Sequence, residues 1–464
     1  MKAVLSIYCS FFLCLAAYAT DYDVRDHGAI GDGKQLDTKS VQAAIDSCHE
    51  NGGGRVVIPS GYTVLVGTIF LKSHVTLYIE RGAVLLGSPD IADYSEDTHK
   101  NMYKNEPHMD RCLIFAKDAE NFGIEGNGTI DGNGHPRHFN RKTGRPMLIR
   151  FLRCNDITMR AVTLQHPAAW TSAWLYCKNI VVEGITITSR VNHNGDGLDF
   201  DGCQNVRVSN SSFDTSDDSI CLQASLPDVP CRDITVTNCV FTSKWAGMRI
   251  GLLSRGDFES VTVSNCTFRN IQDAGLKIQM NEGGTMKNMV FNNLVMKNVP
   301  RPVFMTFAQQ KACVDALEEM YPMEAMKGFS FDHLTIDNAE MDKNTCFFIT
   351  GMPGHPIEDI SFSNIHFVHP GGGNEEDANR VDLPEYTLEV LDGWWPEFRL
   401  VGTLPASAFY LRHVTGLRLA GINLQVKSPE QRPAVVLEDV RHYQLDGVYQ
   451  NYDLVNTDKG LEIR

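Results

Sequence analysis

The chain lacks the features of several common functional classes. Its 464 residues carry a formal net charge of −15, with 42 Lys and Arg against 57 Asp and Glu, and they contain no basic tract. No nucleic-acid partner is therefore expected, because phosphate binding depends on clustered Lys and Arg. The overall charge does not exclude an acidic polymer as a partner, because a local basic pocket can bind one.

Long hydrophobic runs are missing beyond the N-terminus. No later segment approaches the roughly 18 consecutive apolar residues of a membrane-spanning helix, so membrane insertion is not expected. The start of the chain differs, with Lys2, a mostly apolar stretch at 3–15, and the small-x-small sequence Ala17-Tyr18-Ala19. This pattern predicts a signal peptide over residues 1–19 and a secreted or periplasmic protein, and the stretch is too short for a membrane anchor.

Cysteine patterns typical of metal sites are also absent. The 13 cysteines include no CxxC pair, and no His cluster has the spacing of a zinc site, so we predict no metal and no other cofactor. Disulfides are possible in an exported protein, but buried, stacked thiols are the favoured interpretation of the cysteines that recur at repeat positions. These are Cys154, Cys177, Cys203, Cys231, Cys239 and Cys266.

A short repeated phrase runs along most of the chain. It reads polar-Asn-apolar-x-apolar, and its first apolar residues are spaced 23 to 28 residues apart from Ile157 to Met289, with weaker copies near Phe122, Phe329, Ile360 and Leu417. Such a period indicates a solenoid, and units this short have no room for a helix each. We therefore predict an all-β fold, a right-handed parallel β-helix that forms a single catalytic domain over residues 20–464. Asn at a fixed turn position suits a left-handed bend and a hydrogen-bonded ladder.

Two segments leave this repeat near its ends. Asp37 or Thr38 could cap a helix whose apolar residues Val41, Ala44, Ile45 and Cys48 share one face, which predicts an N-terminal capping helix over the open end of the solenoid. A long segment at 369–402 interrupts the period and contains Trp394-Trp395. Long loops of solenoids often shape binding sites, although a packing role is an equal alternative.

The densest carboxylate cluster lies in the middle of the chain. The stretch 194–199 reads Asn-Gly-Asp-Gly-Leu-Asp, and Asp217-Asp218 follow about one coil later. Neighbouring rungs would bring Asp196 close to this pair at the separation of about 6.5–9.5 Å that suits an inverting glycosidase. One acid would stay protonated because like charges crowd it. Asp217 and Asp218 both reach the cleft only if the backbone bends there.

These residues carry a resemblance to glycoside hydrolase family 28, the polygalacturonases and rhamnogalacturonases. Further similar stretches lie at 24–33, 71–77 and 128–132, and near the C-terminus at 395–397 and 404–406. The family's Asn-x-Asp and Asp-Asp motifs match 194–196 and 217–218. The resemblance implies a pectic poly- or oligosaccharide as the substrate and partner. It also implies that Asp217 is the general acid and that Asp196 and Asp218 hold the attacking water.

Two motifs depart from the polygalacturonase pattern. Ala246 stands where the family has the His of Gly-His-Gly, and Lys277-Ile278-Gln279 replaces Arg-Ile-Lys. The loss of one cation makes a rhamnogalacturonan-type, rhamnose-releasing or exo-acting specificity more credible than plain endo-polygalacturonase action. Arg249 is a new cation that could bind a carboxylate through two hydrogen bonds, or simply be an exposed strand residue. The predicted substrate-binding residues are Asn194, Asp199, Trp245, Arg249, Lys277 and Gln279.

Two other functions remain open from the sequence. A pectate-lyase-like enzyme would share the solenoid and use an Asp cluster to bind calcium, but the motifs at 194–196 and 217–218 argue against it. A non-catalytic carbohydrate-binding solenoid is the second alternative, and the missing His equivalent supports it. In each case we expect a monomer.

Overall fold

The computed structural model describes residues 20–100, 103, 108–313 and 323–464. The predicted signal peptide at 1–19 lies outside the described residues. Among the described residues, hydrogen bonding connects all 34 strands, and every pairing between these strands is parallel except one at the C-terminal end. The sheet winds into a right-handed parallel β-helix, as predicted from the repeat.

Three parallel sheets form the faces of this β-helix, and each sheet contains strands from successive coils. The first sheet contains the repeated phrase, in strands Asp21–Asp23, Gly54–Ile58, Val75–Ile79, Glu120–Gly126, Asn155–Arg160, Lys178–Glu183, Gln204–Ser209, Cys231–Thr237, Phe258–Arg269, Gly284–Lys297, Met323–Asp337, Ile357–His369, Phe409–Val426 and Val435–Gln450. The second sheet contains Asp32–Leu36, Thr63–Val66, Val84–Gly87, Thr129–Asp131, Thr163–Gln165, Thr186–Ser189, Ser212–Thr215 and Val240–Ser243. From Phe258 onward, the long strands of the first sheet continue through the second.

The third sheet carries the residues of the candidate site. Its strands are Ile69–Phe70, Cys112–Lys117, Met147–Leu152, Ser172–Leu175, Leu198–Asp201, Ile220–Ala224, Ala246–Ser254, Ala274–Met280, Arg301–Phe307, Phe347–Thr350 and Leu461–Ile463. The first residues of Phe409–Val426 and Val435–Gln450 also pair in this sheet. Asp453–Leu454 is the antiparallel exception.

The repeat positions stack in register along the whole molecule. One continuous column joins Phe122, Ile157, Ile180, Val206, Ile234, Val261, Met289, Phe329, Ile360, Leu417 and Tyr443. The four weaker copies found in the sequence all belong to it, and all of its members except Tyr443 are buried. Each coil therefore covers the apolar side chains of its neighbours, which is how a solenoid obtains a core.

Turns and cysteines repeat in the same way. Asn179 and Asn205 have φ values of 55° and 56°, and Asn205 Nδ2 donates to Asn179 Oδ1 at 2.7 Å, so the predicted asparagine ladder is present. The 11 cysteines of the described residues are buried thiols rather than disulfides. Cys177 Sγ lies 3.4 Å from the Cys154 amide nitrogen, so the cysteines of successive coils stack as thiols, as expected.

The predicted capping helix spans Thr38–Glu50 and buries the four predicted apolar residues. Asp37 occupies the N-cap position, as one of the two predicted residues, but its side chain makes no cap hydrogen bond. The Asp37 carboxylate accepts hydrogen bonds from the Ile30 and Gly31 amides, and Thr38 Oγ1 accepts one from Gly67. These side chains tie the helix to adjoining loops instead. The other helices are short, namely Val24–His27, Ile91–Asp93, Glu375–Ala378, Leu388–Leu391 and Phe398–Leu400. Among the described residues, no helix has the length and apolar character needed to cross a bilayer.

Candidate active site

Three aspartates meet just before two adjacent strands of the third sheet. Asp196 precedes Leu198–Asp201, and Asp217 and Asp218 precede Ile220–Ala224 on the next coil. The Gly197 amide donates to the Asp218 carbonyl at 2.9 Å, which places these turns side by side. Each of the three carboxylates contributes one oxygen to a group in which all atoms lie within 4.8 Å of one another. The expectation that neighbouring rungs bring these acids together is confirmed.

A bend in the backbone lets both adjacent aspartates reach the same site. The chain bends at Ser216 and Asp217, and the Asp217 carbonyl accepts hydrogen bonds of 2.6 Å from the hydroxyls of Thr215 and Ser243. The Asp218 amide donates to Asp217 Oδ1 at 3.1 Å. Hydroxyl groups on two coils therefore hold the bend that the sequence left open.

The carboxylate oxygens approach one another closely. The nearest oxygens of the three acids lie within 4.8 Å, whereas the about 6.5–9.5 Å that we expected is a distance between whole carboxyl groups, so that expectation stays a prediction. The close approach arises because rungs stack at about 4.8 Å, and because two of the acids are sequence neighbours at one bend. Two oxygens 4.8 Å apart can still share one water at ordinary hydrogen-bond distances of about 2.8 Å.

The acids open into a small pocket with aromatic walls, called here the aromatic pocket. Its volume is about 210 Å³. The residues that line it come from several coils and from the loop at 369–402, and they are Tyr103, Trp170, Asn194, Asp196, Asp217, Asp218, Cys221, Trp245, Arg249, Leu252, Trp395 and Glu397. The loop at 369–402 therefore helps to form the site. Of the two interpretations of this segment, the site-shaping role is the correct one and the purely packing role is not.

Burial and mutual repulsion favour the protonated forms of the acids. Burial raises the pKa of Asp217 to about 7, with the charge of Asp218 as the second cause. Burial also raises the pKa of Asp196 well above its usual range, with the charge of Asp217 next in size. The pKa of Asp218 is raised by burial but is opposed by Arg249 and Lys277. The site therefore holds at least one carboxyl group that keeps its proton near neutral pH, as expected.

Asp218 has the partners that suit an ionised carboxylate. Its Oδ2 accepts from Arg249 Nη1 at 3.2 Å, and its Oδ1 accepts from the Ala246 amide at 3.2 Å. Asp196 Oδ1, in contrast, is buried and has no hydrogen-bond partner among the described residues. A buried acceptor of this kind needs a ligand hydroxyl or a water.

The six predicted substrate-binding residues divide into two groups. Asn194, Trp245 and Arg249 line the aromatic pocket. Asp199, Lys277 and Gln279 are at most 1% exposed and lie outside its lining. A neighbouring coil covers Asp199, and the loop at 369–402 covers Lys277 and Gln279. Their contact with the substrate therefore stays a prediction. Gln279 has a supporting role, since its Nε2 donates to the Pro396 carbonyl at 2.6 Å and so anchors the loop.

The two cations near the acids are already engaged by protein carboxylates. Arg249 is 6% exposed, which rules out the exposed-strand interpretation. Its Nη2 donates to Gln279 Oε1 at 2.7 Å and lies 3.4 Å from Glu397 Oε1. Lys277 Nζ donates to Asp273 Oδ2 at 2.8 Å and to Glu397, and it lies 4.7 Å from the centre of the Trp245 ring. Neither cation is placed as the free carboxylate clamp that the sequence suggested.

Glu397 is the most heavily paired of the site residues that sequence reasoning missed. It is 3% exposed and lies 148 residues after Arg249 in the chain, within a loop that has no repeat register. Its only sequence signal was the resemblance of 395–397 to bacterial family members. That signal marked the segment but not its contact with the two cations.

A second cavity adjoins the aromatic pocket and is called here the basic cavity. It has a volume of about 680 Å³ and shares Asn194 and Asp217 with the aromatic pocket. Its titratable lining residues are Arg141, Arg145, Arg190, His193, Lys244 and Asp217. The Arg145 guanidinium donates to Asn194 Oδ1 at 2.7 Å, which fixes the residue at the boundary between the two cavities. Asn194 and Asp217 thus lie between a basic and an aromatic region.

The three carboxylate oxygens also have the spacing of a possible cation site. Oxygen ligands suit a hard divalent ion such as Ca²⁺. Arg249, however, already supplies a positive charge to Asp218, and burial favours the neutral form of Asp196 and raises the pKa of Asp217. Both features weaken the site for a divalent ion, because a metal ligand must be ionised.

Comparison with known proteins agrees with this geometry. The profile of Glycosyl hydrolases family 28 matches residues 48–366. A probable polygalacturonase of Vitis vinifera is 26% identical over 369 residues, which cover 73% of this chain and 72% of that protein. An exo-poly-alpha-D-galacturonosidase of Dickeya chrysanthemi is 26% identical over 406 residues, which cover 74% of this chain and 66% of that protein. This chain thus spans about two thirds to three quarters of the length of these relatives.

Solved structures show the same fold. An exopolygalacturonase of Thermotoga maritima has a TM-score of 0.64 and 21% identity, with coverage of 75% of this chain and 87% of that chain. The family 28 exopolygalacturonase of Yersinia enterocolitica has a TM-score of 0.62 and 23% identity, with coverage of 94% and 79%. Since the family profile covers more than half of the sequence, the chain belongs to glycosyl hydrolases family 28 and is an O-glycoside hydrolase.

Proposed function

We propose that this protein hydrolyses a glycosidic bond of a pectic poly- or oligosaccharide with inversion at the anomeric carbon. The observation that carries the proposal is the convergence of Asp196, Asp217 and Asp218, with one oxygen each within 4.8 Å, in a pocket beside a basic cavity. The relatives from Vitis vinifera and Dickeya chrysanthemi bear galacturonan-degrading names, which supports a pectic substrate. Inversion is general to the family.

We assign a separate task to each acid. Asp217 is half-buried, and its pKa near 7 keeps a proton available for the glycosidic oxygen as the bond to the leaving sugar breaks. Asp218, paired with Arg249, accepts a proton from the water that attacks the anomeric carbon. The free Oδ1 of Asp196 accepts a second hydrogen bond from that water and orients it. Asp218 then releases the proton it accepted to solvent, and Asp217 recovers its own from solvent.

The substitution Asp217→Asn tests this assignment. The amide cannot protonate the leaving oxygen, so we expect kcat to fall by about 10²–10⁴-fold on pectic oligosaccharides. Asp233→Asn is the matched control, because Asp233 is an exposed strand residue with φ 58°, a conformation that Asn adopts readily. Equal melting temperatures would show that both variants fold. Unchanged turnover in a folded Asp217→Asn protein would contradict the role of Asp217.

We further propose that the enzyme acts from a chain end. The aromatic pocket, at about 210 Å³, is smaller than the usual ligand site of about 300–1,000 Å³ and suits a short stretch of sugar. The name of the Dickeya relative supports the same mode of action. Release of one small product from the start of the reaction, without a rapid loss of polymer viscosity, is the expected result. A broad ladder of early products would contradict it.

We also propose export after removal of residues 1–19, on the grounds of their sequence pattern. N-terminal sequencing of the protein recovered from the periplasm or the medium should begin at Thr20. Recovery of the full-length chain from the cytoplasm would contradict export. The proposed monomer is checked by light scattering, which should give a mass near that of one processed chain.

A further inference from the structure

The two cavities beside the acids differ in the formal charges of the side chains that line them. Among the described residues that line the aromatic pocket, Arg249 is the only cation, and the acids there include Glu397 and the three aspartates. The basic cavity on the other side of Asp217 is lined by three arginines, Lys244 and His193, with Asp217 as its acid. A substrate that spans Asp217 therefore places its two sugars in opposite electrostatic environments.

Glu397 creates this difference on the aromatic side. One of its carboxylate oxygens faces Arg249 at 3.4 Å, and the other accepts from Lys277. All three side chains are at most 7% exposed. Asp273 gives Lys277 a second partner at 2.8 Å and also pairs with Arg301 at 2.9 Å. The positive charges that could attract a sugar carboxylate are thus compensated within the protein.

A carboxylate that entered the aromatic pocket would be repelled. It would lose its hydration and be repelled by the charge of Glu397. It would also gain no free cation as a partner, because Arg249 and Lys277 are already paired with protein carboxylates. An uncharged ring would instead contact the faces and edges of Tyr103, Trp170 and Trp395, which pack edge to face at 5.3 and 6.4 Å between ring centres. Apolar sugar faces are compatible with such walls.

We infer that Glu397 is a specificity-determining residue that reserves the aromatic pocket for an uncharged sugar, while the basic cavity takes the carboxylate-bearing sugar. This inference rests on the proposed function, because it assigns the two sides of the same scissile bond. Two uncharged groups have this chemistry, a neutral sugar and a uronate whose carboxyl group is esterified. The substrate of this site is therefore a mixed or modified pectic chain rather than a uniform polyuronate.

The test compares three oligosaccharides of equal length with wild-type enzyme. They are a free-acid oligogalacturonate, its methyl ester, and an oligosaccharide that alternates uronate with neutral sugar. We expect kcat/KM for at least one of the last two to exceed that for the free acid by about tenfold or more, because like charges brought together at a site cost several kcal/mol. Preference for the ester alone or for the alternating chain alone identifies which uncharged group is bound. A wild-type preference for the free acid overturns the inference.

The substitution Glu397→Gln tests whether Glu397 sets this preference. The amide keeps the shape but releases the charge of Arg249 and Lys277, so the ratio of kcat/KM between uncharged and free-acid substrates should fall by about tenfold. The ratio is informative even if turnover falls, because all substrates use the same acids. Glu389→Gln is the matched control, an exposed glutamate of the same loop. An unchanged ratio in folded Glu397→Gln would overturn the assignment.

Failure of the inference differs from failure of the proposed function. If none of the three oligosaccharides is hydrolysed by wild-type enzyme, the pectic substrate itself is wrong. If they are hydrolysed without the expected order, only the assignment of Glu397 is wrong. Should Glu397→Gln fail to fold, the wild-type order of substrates still decides the inference.

Discussion

At the scale of single residues, the site depends on unequal environments for similar side chains. Asp217 and Asp218 are adjacent and chemically identical, yet Arg249 and the Ala246 amide contact only Asp218. Asp217 lacks such a cation contact in the described structure and has a pKa raised to about 7 by burial and by the charge of Asp218. Two carboxyl groups whose environments move their pKa values apart are typical of a general acid and a general base.

This difference predicts the pH dependence of activity. Asp217 must be protonated to act, and its pKa is raised, so kcat/KM should be retained below about pH 7 and lost as the pH rises through that value. On the acidic side, activity should fall when Asp218 becomes protonated and can no longer accept a proton from water. The measurement is kcat/KM across pH on one uncharged-ended substrate. Activity that still increases above neutral pH would contradict the assignment of the acid.

At the scale of elements, the repeat explains which structures could be predicted. The spacing of apolar residues defined the strands of the first sheet, and a 21-residue interval placed Asp196 beside Asp217. The contacts of Glu397 could not be predicted, because a period relates residues on successive coils but gives no register to a loop outside it. The bend at Asp217 depends on hydroxyls of Thr215 and Ser243, whose contact requires the folded coils. The buried placement of Lys277 likewise required the structure.

The asparagine ladder gives an element-scale prediction. Asn205 combines a left-handed backbone, φ 56°, with a hydrogen bond to Asn179. Asn205→Ala should lower the free energy of unfolding by about 1–2 kcal/mol, because Ala is strained in this conformation and cannot continue the ladder. Asn205→Gly should cost less, since Gly adopts the conformation freely. Equal losses in both variants, measured by denaturant unfolding, would show that backbone strain is not the cause.

At the scale of the whole molecule, the β-helix separates stability from catalysis. Stacked apolar columns and the capping helix Thr38–Glu50 maintain the solenoid, while the acids lie on one face where turns and a long loop can vary. The net charge of −15 also differs from the local charge beside the site, because three arginines, Lys244 and His193 line the basic cavity. A protein that is acidic overall therefore presents a local surface suited to an anionic polysaccharide.

The central claim is that water attacks the anomeric carbon of a pectic sugar with the help of Asp196, Asp217 and Asp218. The most direct measurement follows the first turnovers of a pectic oligosaccharide in ¹⁸O-labelled water by NMR and mass spectrometry. The account predicts one ¹⁸O atom at the new reducing end and a first-formed anomer opposite to that of the substrate bond. A retained anomer, or an unsaturated product without ¹⁸O, would contradict it.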